Sequence, residues 1–128
     1  MNVVENLASL EWPILLRHYS AHCFSVPAKL MAECVLPSES VGEAERLLAL
    51  TAEARLARES GNFSFLAHLA SLEPTLERLK KQAVLDGREL LALARAAEVA
   101  QELKSIFSNR ETISHCPLLA TEAGLLPS

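Results

Sequence analysis

The sequence predicts an all-α protein, an irregular bundle of about five to six helices. Half of the 128 residues are hydrophobic but only 5% are aromatic, so the core must be aliphatic and built mainly from leucine and alanine. Four glycines and one tyrosine leave little material for hairpins or sheet surfaces. The length corresponds to a single helical domain over residues 1–128, large enough to fold without disulfides.

Composition also bounds the function. A net charge of −4 and a pI of about 5.6 oppose generic binding to nucleic-acid phosphates. The mean hydropathy of +0.18 excludes a disordered tail and indicates apolar surface that meets another chain or domain. We find no apolar run long enough for a membrane span and no secretory signal, so we expect no membrane partner and a cytoplasmic location. Three irregularly spaced cysteines fit reduced thiols in helix cores.

The first two helices are marked by prolines. Trp12-Pro13 begins the first helix, since proline is well placed at a first helical position, and the tryptophan is expected to pack into the core. The predicted apolar side of this helix contains Ile14, Leu15, Tyr19 and Cys23. Ser25 can cap the second helix, which has Pro27 in its first turn and ends near Cys34.

The third helix begins with a capping box from Ser40 to Glu43. Its predicted apolar positions are Ala44, Leu47, Leu48, Thr51, Ala54 and Leu56. Gly61 is suited to the left-handed residue that follows a helix. Residues 63–72 are predicted to be a loop followed by one or two helical turns.

Ser71 is predicted to cap a fourth helix from about Glu73 to Ala83. Residues 86–89 then form an acidic capping box that begins a fifth helix, predicted to run to about Asn109 and to be by far the longest. Residues 110–116 are ambiguous. Pro117 opens a last short helix that ends near Gly124.

The long helix carries the clearest functional signal in the chain. Apolar residues recur along it at alternating steps of three and four, which is typical of a helix that packs along its length. This interaction seam contains Leu93, Ala96, Ala100, Leu103 and Phe107. Its small members allow another backbone to come close.

Motifs for chemistry are scarce. The four glycines are too scattered for a phosphate loop, which excludes the usual nucleotide-binding loops. His18 and His22, at i and i+4, are weak candidates for a shared metal ion, although two ordinary surface histidines explain them better. His115-Cys116 is a poor nucleophile pair because adjacent residues seldom face each other. We therefore predict no catalytic, cofactor or metal site.

Two further clusters have ordinary explanations. Arg78, Lys80, Lys81 and Arg88 form a basic run that is a possible nucleic-acid contact. A solvated helix face near a C-terminus is the commoner explanation, since cations there offset the helix dipole. Glutamate pairs such as Glu53 and Glu59 are predicted to face solvent.

The order of several short motifs resembles a known family. The motifs are Leu10-Glu11-Trp12, Leu36-Pro37-Ser38, Gly61-Asn62-Phe63, residues 72–81 (LEPTLERLKK), Val84-Leu85-Asp86, Glu89-Leu90-Leu91 and Cys116-Pro117-Leu118-Leu119. Over about residues 10–126, this order resembles the N-terminal core region of the Smr-bearing bacterial branch of the MutS family. One departure is Gln82-Ala83, where the family often has two glycines.

The resemblance implies a fragment from the first part of a core/lever domain. Full-length relatives are dimeric, ATP-driven proteins that act on branched DNA in recombination or on collided ribosomes. Their ATPase, which uses ATP and Mg²⁺, and their Smr endonuclease would lie downstream, so no catalytic residue is carried over and this chain is expected not to be an enzyme. Its expected partners are the remaining core/lever helices or a second copy, with DNA or the ribosome reached through the full-length protein.

A hypothesis of another class is an autonomous small helical module that binds a regulatory protein or a metal. Its support is the His18/His22 pair and the basic run. The fragment hypothesis is favoured by the Ala/Leu seam and by the chain's ending directly after Leu125-Leu126-Pro127.

Overall fold

The computed structural model describes residues 6, 7 and 9–127, and within them it contains seven α-helices and no strand. The predicted all-α class is therefore confirmed. The helices are α1 (Trp12–Ala21), α2 (Val26–Glu33), α3 (Val41–Ser60), α4 (Glu73–Lys80), α5 (Gly87–Phe107), α6 (Arg110–His115) and α7 (Pro117–Gly124), with a 3₁₀ helix at Ser64–His68. The count exceeds the expected five to six because the ambiguous segment forms α6. None of the helices in the described part is long and apolar enough to cross a membrane.

Side-chain caps begin three helices where the sequence predicted them. Ser25 Oγ accepts from the Ala28 amide at 3.3 Å and Ser40 Oγ from the Glu43 amide at 3.2 Å. Asp86 accepts from the amides at the start of α5, while the Glu89 carboxylate accepts from the Asp86 amide at 2.8 Å. The full reciprocal box is present at α5, whereas only the serine half forms at α3.

Gly61 follows the end of α3 as predicted, but three other details of the helix ends were wrong. Gly61 is extended, with φ −140° and ψ 165°, and is not left-handed. The chain leaves α3 in this direction so that Phe63 can fold back onto the core, where its ring centroid lies 6.3 Å from that of Phe107. Ser71 does not cap α4, whose N-cap is Leu72, and the helix ends at Lys80.

The predicted long helix exists but is not exceptional. α5 has 21 residues and ends at Phe107, and α3 has 20. The predicted bounds of α3, from the Ser40 capping box to Gly61, agree with its observed length, so the prediction that α5 is by far the longest helix was wrong. Leu47, Leu48 and Leu56 of the predicted apolar side are exposed, and only Ala57 of α3 is buried.

The core lies where α3, α5, α6 and α7 meet. Its buried residues are Ala57, Phe107, Cys116 and Ala123. Around them pack the half-buried side chains of Phe63, Leu103, Ile106, Leu119 and Ala120. α7 lies against both α5 and α3, and α6 makes smaller contacts with the same two helices.

α1 and α2 form a separate helical hairpin. The Trp12 indole Nε1 donates to the Val35 carbonyl at 2.9 Å, and this bond sets the rotation of α1. Leu16 and Ser20, one and two turns further on, are therefore the buried residues of α1, and Ser20 donates to Glu33 of α2. The predicted apolar side was wrong, since Ile14, Leu15 and Tyr19 are 41–56% exposed.

A strained turn joins α4 to α5. Gln82 has φ 57°, in the left-handed region, and its amide donates to Leu79 while the Ala83 amide donates to Arg78 at 3.0 Å. These two bonds form a Schellman motif, whose left-handed position favours glycine. Arg78 closes the joint by donating to Glu89 at 2.6 Å and to the Val84 carbonyl at 2.9 Å.

Replacing Gln82 by glycine is expected to stabilise the protein by about 1 kcal/mol, because a side chain in the left-handed region costs roughly that amount. Urea unfolding of Gln82→Gly against the wild type measures it. Gln82→Ala is the matched control and should leave the midpoint unchanged, since alanine keeps the Cβ. Equal urea midpoints for the glycine and alanine variants would contradict backbone strain at Gln82.

Candidate functional site

The predicted seam lies on one face of α5 and is more buried toward the C-terminal end of the helix. Ala100 and Phe107 are buried, and Leu93, Ala96 and Leu103 are half-buried. The C-terminal part of the seam, Leu103 and Phe107, contributes to the core beside α7. Its role as an interaction seam stays a prediction.

An apolar groove opens beside the C-terminal part of the seam. It has a volume of about 630 Å³ and lies between α3, the 3₁₀ helix and α5. Its lining residues are Phe24, Ala54, Ala57, Arg58, Gly61, Asn62, Phe63, Ser64, Leu66, Ala67, Leu103, Phe107 and Leu119. We call this surface the apolar groove.

Arg58 is the single charged residue in the lining of the apolar groove. Its guanidinium carbon lies 5.2 Å from the centroid of the Phe24 ring, which is a cation–π distance. No carboxylate in the described part of the chain forms an ion pair with it. The groove therefore combines apolar walls with a positive charge at its rim.

A carboxylate holds the last helix in place. α7 begins at Pro117 without a cap from its own N-cap residue, Cys116. The two carboxylate oxygens of Glu53, on α3, accept from the Leu118 amide at 3.2 Å and the Leu119 amide at 2.8 Å. Glu53 thus caps α7 from another helix, and we call this contact the Glu53 clasp. An exposed ion pair between Arg46 and Glu122 also joins these helices.

Sequence reasoning placed Glu53 in solvent and missed this role. The sequence signal for this capping role was indirect. A helix that begins at Pro117 after a cysteine has orphan amides and no local acceptor, so an acceptor from elsewhere in the fold is needed. Nothing in the sequence said which carboxylate would supply it.

Cys116 lies under the Glu53 clasp with 2% of its surface exposed. Its Sγ donates to the Glu53 backbone carbonyl at 3.5 Å. Burial raises the pKa of the Cys116 thiol, and the negative charge of Glu53 raises it further. The His115 imidazole is engaged within its own helix, where Nδ1 lies 2.8 Å from the Glu111 carbonyl oxygen. Cys116 is therefore a protonated structural thiol.

The weak metal candidates lie on the surface. His18 and His22 are both exposed on and after α1. Across residues 6, 7 and 9–127, no three side chains of the His, Cys, Asp or Glu types are grouped closely enough to hold a metal ion. The structure brings no third ligand to the pair.

Two members of the basic run are already engaged. Arg78 binds Glu89 at the α4–α5 joint, and Lys80 Nζ lies 2.7 Å from Glu77. Lys81 and Arg88 are exposed. The run therefore offers less free positive charge than the sequence indicated, and its contact with nucleic acid stays a prediction.

The chain exposes an unusual amount of surface for its mass. Its accessible area is 9883 Å², against about 6,700 Å² for a compact monomer of 14.0 kDa. Large apolar side chains contribute on several elements, among them Phe24, Met31, Leu48, Leu90, Leu91 and Leu125. Exposed apolar side chains in this number are typical of an interaction surface.

Comparison with known proteins shows similarity to a curated endonuclease. The chain is 29% identical over 125 residues to the endonuclease MutS2 of Synechocystis sp.. The match takes in 96% of this chain but 15% of that protein. No family model matches the chain, and no solved structure matches it. The similarity is compatible with a MutS-like relation and is too weak to assign the family.

Glu53→Ala is expected to lower the free energy of unfolding by about 2 kcal/mol, since two helix amides lose a charged acceptor. Glu53→Gln keeps a neutral acceptor and should cost about half as much. Urea denaturation followed by circular dichroism gives both values. Glu59→Ala, an exposed carboxylate on the same helix, is the control and should have no effect. An equal loss of unfolding free energy in Glu53→Ala and Glu59→Ala would contradict a stabilising role for the Glu53 clasp.

Cys116 should react with a thiol reagent at pH 8 at least about tenfold more slowly than Cys34, because burial and a raised pKa both suppress its thiolate. Mass spectrometry of peptides after timed alkylation separates the two sites. In concentrated denaturant the rates should become alike. A fast reaction of Cys116 in the native protein would contradict its placement in the core.

Proposed function

We propose that this chain is a structural and interaction module of a MutS-like protein and has no chemistry of its own. The main support for the proposal is how much of each chain the similarity to MutS2 covers. It extends over nearly all of this chain yet takes in a small share of a much longer endonuclease. The order of the motifs from Leu10 to Leu126 supports the same relation.

The surface of the fold supports the proposal physically. About 3,000 Å² of area beyond that of a compact monomer needs other helices to cover it. The half-buried residues of the seam and the open apolar groove lie on the elements where such helices would pack. The partners we propose are the remaining core/lever helices of the same polypeptide or a second copy of the chain.

The activity belongs, on this proposal, to the whole protein. ATP and Mg²⁺ would bind in another domain, and cleavage would occur in a further one. The target would be branched DNA or a ribosome, contacted by the full-length protein in the cytoplasm. This chain would supply rigid helices that connect those parts, and it contributes no catalytic, cofactor or metal residue.

An immunoblot of lysate from the source cells, with an antibody against this chain, tests the proposal. We expect a single band several-fold heavier than 14.0 kDa. A lone band near 14.0 kDa would contradict the proposal and would favour the autonomous helical module instead. Mass spectrometry of the band confirms that the antibody has recognised this sequence.

The isolated chain is expected to bind a hydrophobic fluorescent dye and to self-associate at micromolar concentration, because its apolar surface has no cover. Dye fluorescence and sedimentation velocity measure the two effects. Leu48→Glu and Leu91→Glu, which place charges on exposed apolar positions, should weaken both. A strictly monomeric wild type that binds no dye would contradict the prediction.

A further inference from the structure

The walls of the apolar groove suit the close approach of a backbone. Ala54 and Ala57 line one side and Ala67 the other, with Gly61 between them. A Cβ on Gly61 would lie 3.1 Å from the Phe63 ring, which would have to shift by a few tenths of an ångström to accommodate it. Small residues in such a wall let a helix approach to the 8–10 Å interaxial distance of packed helices.

The floor of the groove suits apolar side chains. Phe63 and Phe107 stack there, and Leu103 and Leu119 complete it. Burial of a leucine or phenylalanine side chain against such a floor contributes about 1.5–3 kcal/mol. An occupant with apolar residues on one face would be held by the floor, and the floor by itself gives no choice among such occupants.

Arg58 makes the groove selective among occupants that have an apolar face. Its guanidinium stays at the rim over Phe24, and no described carboxylate neutralises it. An arginine next to a desolvated apolar surface favours a carboxylate, which it binds with two parallel hydrogen bonds. A basic side chain at the same position of an occupant would be repelled.

The exposed area favours a polypeptide over a small molecule. A ligand that fills about 630 Å³ would cover a minor part of the roughly 3,000 Å² that the chain exposes beyond a compact monomer. A standard protein interface buries about 800 Å² on each partner. Several packed helices are needed to cover the remainder.

We propose that the apolar groove binds one α-helix whose inward face is apolar and carries an aspartate or glutamate that pairs with Arg58. This rests on the proposed function, which supplies the helix from the rest of a MutS-like polypeptide. The groove selects the helix by shape along Ala57, Gly61 and Ala67 and by charge at Arg58.

Photo-crosslinking in the native-length protein tests this proposal. The probe is benzoylphenylalanine in place of Leu66, on the groove wall, in the protein produced in its own cells. Irradiation is expected to join it to a single helical segment that has an acidic residue within one turn of the crosslink. The matched control carries the probe in place of Met31, which is exposed on α2 and lies outside the groove, and should not reach that segment.

Charge variants sharpen the result. Arg58→Glu should reduce the adduct at least about fivefold, and Arg58→Lys should keep most of it. Loss of the contact with Phe24 should lower the melting temperature of Arg58→Glu by only a few degrees, and this is measured in parallel. An adduct that does not respond to Arg58→Glu, or joins a segment without a carboxylate, or does not form, overturns the proposal.

The two proposals fail separately. An adduct with a helix of another protein supports the groove proposal and contradicts the proposed function. An absent adduct overturns the groove proposal, while the mass of the uncrosslinked protein still reports on the proposed function. An adduct within one long polypeptide supports both.

Discussion

The Glu53 clasp is the contact on which the rest of the core depends. α7 has eight residues and no cap of its own, so it would be marginal by itself in water. Glu53 satisfies two of its first amides and fixes it against α3. Once held there, α7 places Leu119 and Ala123 against Phe107 of α5 and thereby joins the two longest helices.

Outside that core, the remaining helices have few contacts with the core itself. The α1–α2 hairpin packs mainly on itself, and α4 is attached through Arg78 at its joint with α5. The buried residues of the core are small, since Ala57, Cys116 and Ala123 accompany a single buried aromatic. A core of this size leaves many leucines exposed, which a component of a larger assembly can tolerate because neighbouring helices cover them.

Local signals in the sequence predicted the starts of helices well. Ser25, Ser40, Asp86 and Pro117 each act within one turn, so their outcome depends on few other residues. The pattern of buried residues was predicted poorly because it depends on how each helix is rotated about its own axis. The hydrogen bond from Trp12 to Val35 rotates α1 so that Leu16 and Ser20 face inward. The Glu53 clasp joins Glu53 to Leu118 and Leu119, which are separated from it by 65 and 66 positions in the sequence. The residues of the seam recur regularly and are buried or half-buried along α5, while their role as an interaction seam stays a prediction.

Hydrogen exchange of the isolated chain beside the native-length protein tests the central claim most directly. The account predicts that residues 53–60, 100–107 and 117–124 exchange slowly in both, because the clasp and core are intrinsic to this chain. Residues 12–33 and 90–99 should exchange quickly in the isolated chain and slowly in the longer protein, where other helices cover them. Equal protection of those two segments in both samples would contradict the claim that this fold is completed by a partner.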